Sequence, residues 1–174
     1  MRRAALFTLF AVLSAMPLTA QIDCQAGNCI NGEGVCIYPS GARYEGRFKD
    51  GKPQGTGTLK FSDGREYTGE GKQGFKQGRG ILTFPNGDKY TGDFRDNKFH
   101  GRGIMAYANG NRYDGSWVNG QQAGRGTYHF ANGDRYEGGF MAGQFNGLGT
   151  MYYSDGSVYD GQWRDNDRHG RGNM

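Results

Sequence analysis

From Arg43 onward, apolar and polar residues alternate by two in short runs, and glycines stand inside the runs. "YTGDF" at 90–94 puts Tyr90, Gly92 and Phe94 on one face of an extended chain, with Thr91 and Asp93 on the other. "GIMAY" at 103–107 does the same with Gly103, Met105 and Tyr107. A period of two argues strands, and two such runs joined by turn residues argue a β-hairpin. The hairpin recurs. Tyrosine stands at 44, 67, 90, 113, 136 and 159, each step 23 residues without an insertion. Glycine follows two places on, from Gly46 to Gly161, and again 11 and 13 places on, from Gly55 and Gly57 to Gly170 and Gly172. An Asn-Gly or Asp-Gly closes the units, as at Asp63-Gly64, Asn86-Gly87 and Asn132-Gly133. Four places after the tyrosine comes an aromatic: Phe48, Phe94, Trp117, Phe140 and Trp163, with Gly71 the exception.

Glycine is a weak strand residue. Its regular place beside large rings gives it a purpose: it leaves a vacancy over which a neighbouring aromatic lies flat. The pattern predicts an all-β fold, an elongated single-layer twisted antiparallel sheet of about 13 strands, with no helix after residue 20. Keeping the rings of successive hairpins on one face constrains the turns by parity. A three-residue loop such as Pro85-Asn86-Gly87 satisfies it, as a type I turn closed by a left-handed glycine. The other connection must have even length, and a four-residue loop, Gly51-Lys52-Pro53-Gln54, is expected.

The first 20 residues follow a different pattern. Arg2 and Arg3 precede the apolar run "AALFTLFAVLSAMPL", and small residues end at Ala20. This is the layout of a cleavable secretory signal, and the run is short of the roughly 20 residues of a spanning helix. The expected organisation is a signal at 1–20, a degenerate capping unit at 21–43, and six repeats at 44–66, 67–89, 90–112, 113–135, 136–158 and 159–174. An exported location follows: periplasm, outer envelope or extracellular space.

Composition sharpens the picture. Glycine supplies 33 of 174 residues, against a usual share of about 7%. Collagen is excluded by 4 prolines and the lack of a Gly-X-Y period, and disorder by 11 Tyr and 11 Phe. Two of the 21 basic side chains lie in residues 1–20, so the rest of the chain carries 19 against 17 acidic ones, a net charge of +2. No basic stripe marks a nucleic-acid partner.

The chain offers no expected catalytic residue, metal site or cofactor motif. His100 and His169 occupy equivalent places three repeats apart, about 30 Å at two strands per repeat. The Asn/Asp column before each turn glycine presents single carboxylates about 10 Å apart, too sparse for calcium. Three cysteines in an exported chain imply one disulfide and one spare thiol. Cys36 stands where other units place Leu59, Leu82, Met105 or Met151, and reads as a core residue. Cys24 and Cys29 then pair and cap the sheet end.

"YEGRFKDGKPQGTGTLKFSDGRE" and the five units after it resemble MORN repeats (membrane occupation and recognition nexus). The resemblance rests on successive Y-x-G, G-x-G and N/D-G elements over 44–174, and loosely 21–43. It implies hairpins in one long grooved sheet and a role as scaffold or localisation module, without enzymatic activity of its own. The expected function is a non-catalytic exported scaffold that binds a protein or a second copy of itself, as in a homodimer. The alternatives are a phospholipid-binding module at a membrane surface and glycan binding by the aromatic face. The expected binding face is Tyr90, Phe94, Tyr113, Trp117, Tyr136, Phe140, Tyr159 and Trp163. Phe75, Phe99 and Phe145 are expected at the hairpin tips.

Overall fold

The computed structural model describes residues 22–174. The expected signal segment lies outside the described residues. Among the described residues every regular element is a strand. β1 (Asp23–Gly27) and β2 (Gly32–Ile37) make the first hairpin. Each 23-residue unit then adds a short strand and a longer one. These are β3 (Arg43–Lys49) and β4 (Lys52–Lys60), β5 (Glu66–Lys72) and β6 (Phe75–Thr83), and β7 (Lys89–Arg95) and β8 (Lys98–Ala106). β9 (Arg112–Val118) and β10 (Gln121–His129), β11 (Arg135–Met141) and β12 (Gln144–Tyr152), and β13 (Val158–Arg164) and β14 (Asp167–Asn173) follow. All 14 form one antiparallel sheet in sequence order, without a crossover. The count exceeds the expected 13 by one, since the first hairpin and each of the six units supply two strands.

The two connections differ in kind. In the longer one, the Phe84 amide donates to the Asp88 carbonyl and the Gly87 amide to the Phe84 carbonyl, so Pro85-Asn86-Gly87 is the loop. Gly87 has φ 93°, the left-handed residue that closes such a loop. The side chain of Asn86 accepts from the Asp88 amide, which gives the Asn/Asp column its structural reason. The other connection is shorter than expected. Lys49 pairs with Lys52, and Arg95 with Lys98, leaving two-residue turns at Asp50-Gly51 and Asp96-Asn97. Both residues of each turn have positive φ, the twist that suits a tight hairpin.

The expected four-residue loop is replaced by that turn plus a bulge. Gly46 pairs with Gly57, and the next pair is Phe48 with Pro53, so Arg47 alone faces Gln54, Gly55 and Thr56. The bulge adds two residues, so parity is kept and the rings stay on one face. Gly101, at φ 61°, holds the bend in the 90–112 unit. The glycine 11 places after each tyrosine therefore serves backbone geometry, and the glycine 13 places after serves packing.

The core lies on one face of the single layer. A continuous cluster runs from Tyr67 and Leu82 through Tyr90, Tyr113 and Tyr136 to Trp163, and a smaller one holds Cys29, Cys36, Tyr44 and Phe48.

Candidate functional site

Each repeat builds the same stack. Tyr90 lies flat over the cross-strand glycine pair Gly92–Gly103. A Cβ on Gly92 would stand 2.7 Å from the Tyr90 hydroxyl and 2.5 Å from the Cα of Gly103, closer than any side chain fits. The Tyr90 hydroxyl donates to the Asp93 carbonyl at 2.9 Å, in the stretch where the bulge interrupts the ladder. Tyr67, Tyr113 and Tyr136 bond the same way to Glu70, Ser116 and Gly139. Two rings then meet each central tyrosine edge-on: for Tyr90, Phe94 of its own unit and Trp117 of the next. The indole N–H of Trp117 donates to the Gly103 carbonyl at 3.0 Å, and that of Trp163 to Gly149 at 2.9 Å.

The top of the stack varies. Nine places after the tyrosine stand Pro53, Lys76, Phe99, Gln122, Phe145 and Arg168. Phe99 and Phe145 lie parallel to Tyr90 and Tyr136, both with centroids 3.8 Å apart. Arg168 places its guanidinium 4.8 Å from the Tyr159 ring, and Lys76 its ammonium 5.8 Å from Tyr67. Gln122 donates to the Tyr107 hydroxyl. This column escapes a periodicity search because its residues share position and not chemistry.

The expected binding face is placed differently. Tyr90, Phe94, Tyr113, Trp117, Tyr136, Phe140, Tyr159 and Trp163 come together in one row, but each is buried to 7% exposure or less. With only one layer, these rings are the core, and their hydrogen-bonding groups are occupied internally. Two of the three expected tip aromatics are also inside. Phe99 pairs across the hairpin with Phe94, and Phe145 with Phe140, on the ring face. Only Phe75, one parity step away, points outward at 50% exposure.

What a partner can reach is a second row. Phe61, Phe84, Tyr107, Phe130 and Tyr153 stand just before each long turn, half-buried against the core. They recur every 23 residues, a signal already visible in the sequence. A groove of about 570 Å³ opens at one end of this row, lined by Gln122, Tyr128, Phe130, Phe145, Tyr153 and Arg168. On the opposite face two shallow grooves carry charges of both signs, among them Arg102, Asp114, Arg125 and Glu137.

Burial pushes the phenols of Tyr113 and Tyr136 up to about 12, and that of Tyr107 likewise, aided by neighbouring Tyr128. These hydroxyls are neutral donors at any physiological pH. Among the described residues, no group of three or more His, Cys, Asp or Glu gathers to hold a metal, and no helix is long and apolar enough to cross a membrane. At the sheet's first edge Cys24 and Cys29 form a disulfide. Cys36 is a buried thiol, its pKa raised by desolvation.

The family model described as MORN repeat matches seven consecutive segments, residues 30–43, 44–64, 67–89, 90–112, 113–135, 136–158 and 159–174. Among curated proteins none matches the chain. Among solved structures the chain is similar to the SAS-4 (dCPAP) TCP domain of Drosophila melanogaster, solved in complex with a proline-rich motif of Ana2 (dSTIL). The two are 15% identical, with 93% of this chain and 86% of that one covered and a TM-score of 0.52. The TCP10 domain of Danio rerio CPAP, in complex with a peptide of Danio rerio STIL, is 17% identical, with 82% and 84% covered and a TM-score of 0.26.

Proposed function

The chain belongs to the MORN repeat family, and from that premise we propose that it is a non-catalytic exported scaffold whose aromatic face holds an extended, proline-rich polypeptide laid across the hairpins. The observation that carries this reading is the second aromatic row. Its rings recur every two strands, about 9.6 Å apart at ordinary strand spacing. A polyproline II helix completes a turn in three residues and about 9.3 Å. Every third side chain of such a peptide meets one ring of Phe84, Tyr107, Phe130 and Tyr153, and the match holds over several repeats. Flat rings with hydroxyl donors at Tyr107 and Tyr153 suit proline, which offers carbonyl acceptors and no N–H. The Drosophila domain of similar fold, solved in complex with a proline-rich motif, supports a partner of that chemistry.

Lipid binding has less support. Only Phe75 of the three expected tip aromatics is free to enter a bilayer, and a net charge of +2 outside residues 1–20 offers little attraction to anionic lipid.

Calorimetric titration of the full chain with a peptide of about twelve residues, four polyproline turns, tests the proposal. Binding weakened by Tyr107→Ala and Phe130→Ala, but not by a change on the opposite face such as Arg125→Ala, is expected. No binding, together with salt-sensitive co-sedimentation with phosphatidylserine vesicles, would assign the protein to a membrane surface instead. Export is tested by intact mass: the mature chain begins near Gln21, and a retained 1–20 segment in the native envelope would overturn it.

A further inference from the structure

The column of edge-on rings on the aromatic face is interrupted in a single unit. Tyr113 is met edge-on by Trp117 of its own unit and Phe140 of the next, at 5.2 and 4.8 Å. Tyr136 is met likewise by Phe140 and Trp163, at 5.4 and 5.2 Å. In the 67–89 unit that position is Gly71. Tyr44 therefore has only Phe48, and Tyr67 only Phe94. The space where a ring would touch both tyrosines is a cavity of about 370 Å³, lined by Tyr44, Pro53, Leu59, Tyr67, Phe75 and Lys76.

Neither backbone nor packing requires glycine there. Gly71 is absent from the positive-φ glycines. A Cβ on it would meet nothing nearer than 3.7 Å, whereas one on Gly69 would stand 2.6 Å from the Tyr67 hydroxyl. Glycine at 71 leaves open the space that a ring occupies in the other units.

The rim is cationic. The Lys76 ammonium lies 5.3 Å from the Phe61 ring centroid, and the Arg65 guanidinium 4.6 Å from it. Arg65 is paired with Asp63. Lys76 has no ion pair among the described residues. Burial and the nearby Arg65 lower the pKa of Lys76, so an anion beside it gains attraction and relieves repulsion.

We propose that this cavity receives an aromatic side chain from a partner polypeptide, with a carboxylate on the adjoining residue reaching Lys76. The ring takes the place that Phe48, Phe94, Trp117, Phe140 and Trp163 fill elsewhere, edge-on to Tyr44 and Tyr67. The inference deepens the scaffold reading and rests on it only for the polypeptide source. It does not depend on the proline-rich row.

The test is an NMR titration of the full chain with the capped tetrapeptide Gly-Trp-Glu-Gly. Shift changes centred on the amides of Gly71, Phe75 and Lys76 are expected. Leucine in place of the peptide's tryptophan weakens binding about tenfold or more, since it forfeits the edge-on aromatic contacts and much of the buried area. Glutamine in place of its glutamate weakens binding about two- to fivefold, the worth of a half-exposed ion pair. Gly71→Phe fills the cavity from within, removes tetrapeptide binding and raises the unfolding temperature, while binding of the proline-rich peptide at Tyr107 and Phe130 is unchanged. Lys76→Met, which leaves the cavity open, removes the preference for glutamate over glutamine. Unaltered tetrapeptide binding by Gly71→Phe, or shifts centred elsewhere, overturns the proposal. Equal binding of free indoleacetate overturns the polypeptide source. Loss of the proline-rich peptide alone leaves the cavity standing and removes the other reading.

Discussion

The rings of Tyr90 and Phe99 lie face to face, centroids 3.8 Å apart and planes 16° from parallel. Beneath Tyr90 is a glycine pair, and above it is Phe99, so one tyrosine is enclosed on both faces in a sheet with no second layer. Tyr136 and Phe145 repeat the arrangement. Phe99→Ala is expected to lower stability by about 3 kcal/mol, in the range for a packed phenylalanine. Gln122→Ala removes a polar cap and one hydrogen bond from the same place in the next unit, and costs about 1 kcal/mol. Urea unfolding of the two variants checks the ranking; equal effects would mean that the stacked ring adds nothing.

Gly92→Val tests the vacancy beneath the ring. Valine has the better strand propensity, yet its Cβ would stand 2.6 Å from the Arg102 carbonyl oxygen as well as against Tyr90. Overpacking of this kind costs about 2–3 kcal/mol or more. Differential scanning calorimetry should show a lower transition temperature for Gly92→Val and Gly115→Val alike. A rise would defeat the steric account.

Ala142 opens the tight turn of the 136–158 unit at φ 50°, where the other units place Asp50, Gln73, Asp96, Asn119 and Asp165. Alanine gains nothing from the left-handed region, while asparagine tolerates it through local hydrogen bonding. Ala142→Asn is expected to stabilise by about 0.5–1 kcal/mol, read as a higher urea midpoint. An unchanged or lower midpoint would show that the turn carries no such strain.

The buried phenols predict an alkaline transition. Tyr44, Tyr107, Tyr113 and Tyr136 have pKa values raised from 10.0 to about 12, chiefly by desolvation. A raised folded value means that the folded state holds the proton more tightly. The stability this confers is complete below pH 10 and is lost as pH rises from 10 towards 12. Tyrosinate absorbance and circular dichroism should therefore change together in that window. Tyrosinate formation near pH 10 with the fold intact would show that the rings are accessible.

The sequence by itself determined the repeat, the hairpins, the single sheet, the three-residue Pro85-Asn86-Gly87 loop, the Cys24–Cys29 pairing and the flat tyrosine over glycine. These follow from local rules, because side chains alternate strictly along a strand and left-handed glycines mark turns. Tertiary structure decided which rings a partner can reach. A period of 23 residues does not reveal where within it the extra residues of a bulge fall, and that placement makes the second turn two residues long. It puts Phe99 and Phe145 inside while Phe75 stays outside. The sequence also showed Gly71 only as an exception to a column. Its consequence is a cavity bounded by Tyr44 and Tyr67 from adjacent units, which exists only once neighbouring hairpins are packed and each ring's place depends on the one beside it.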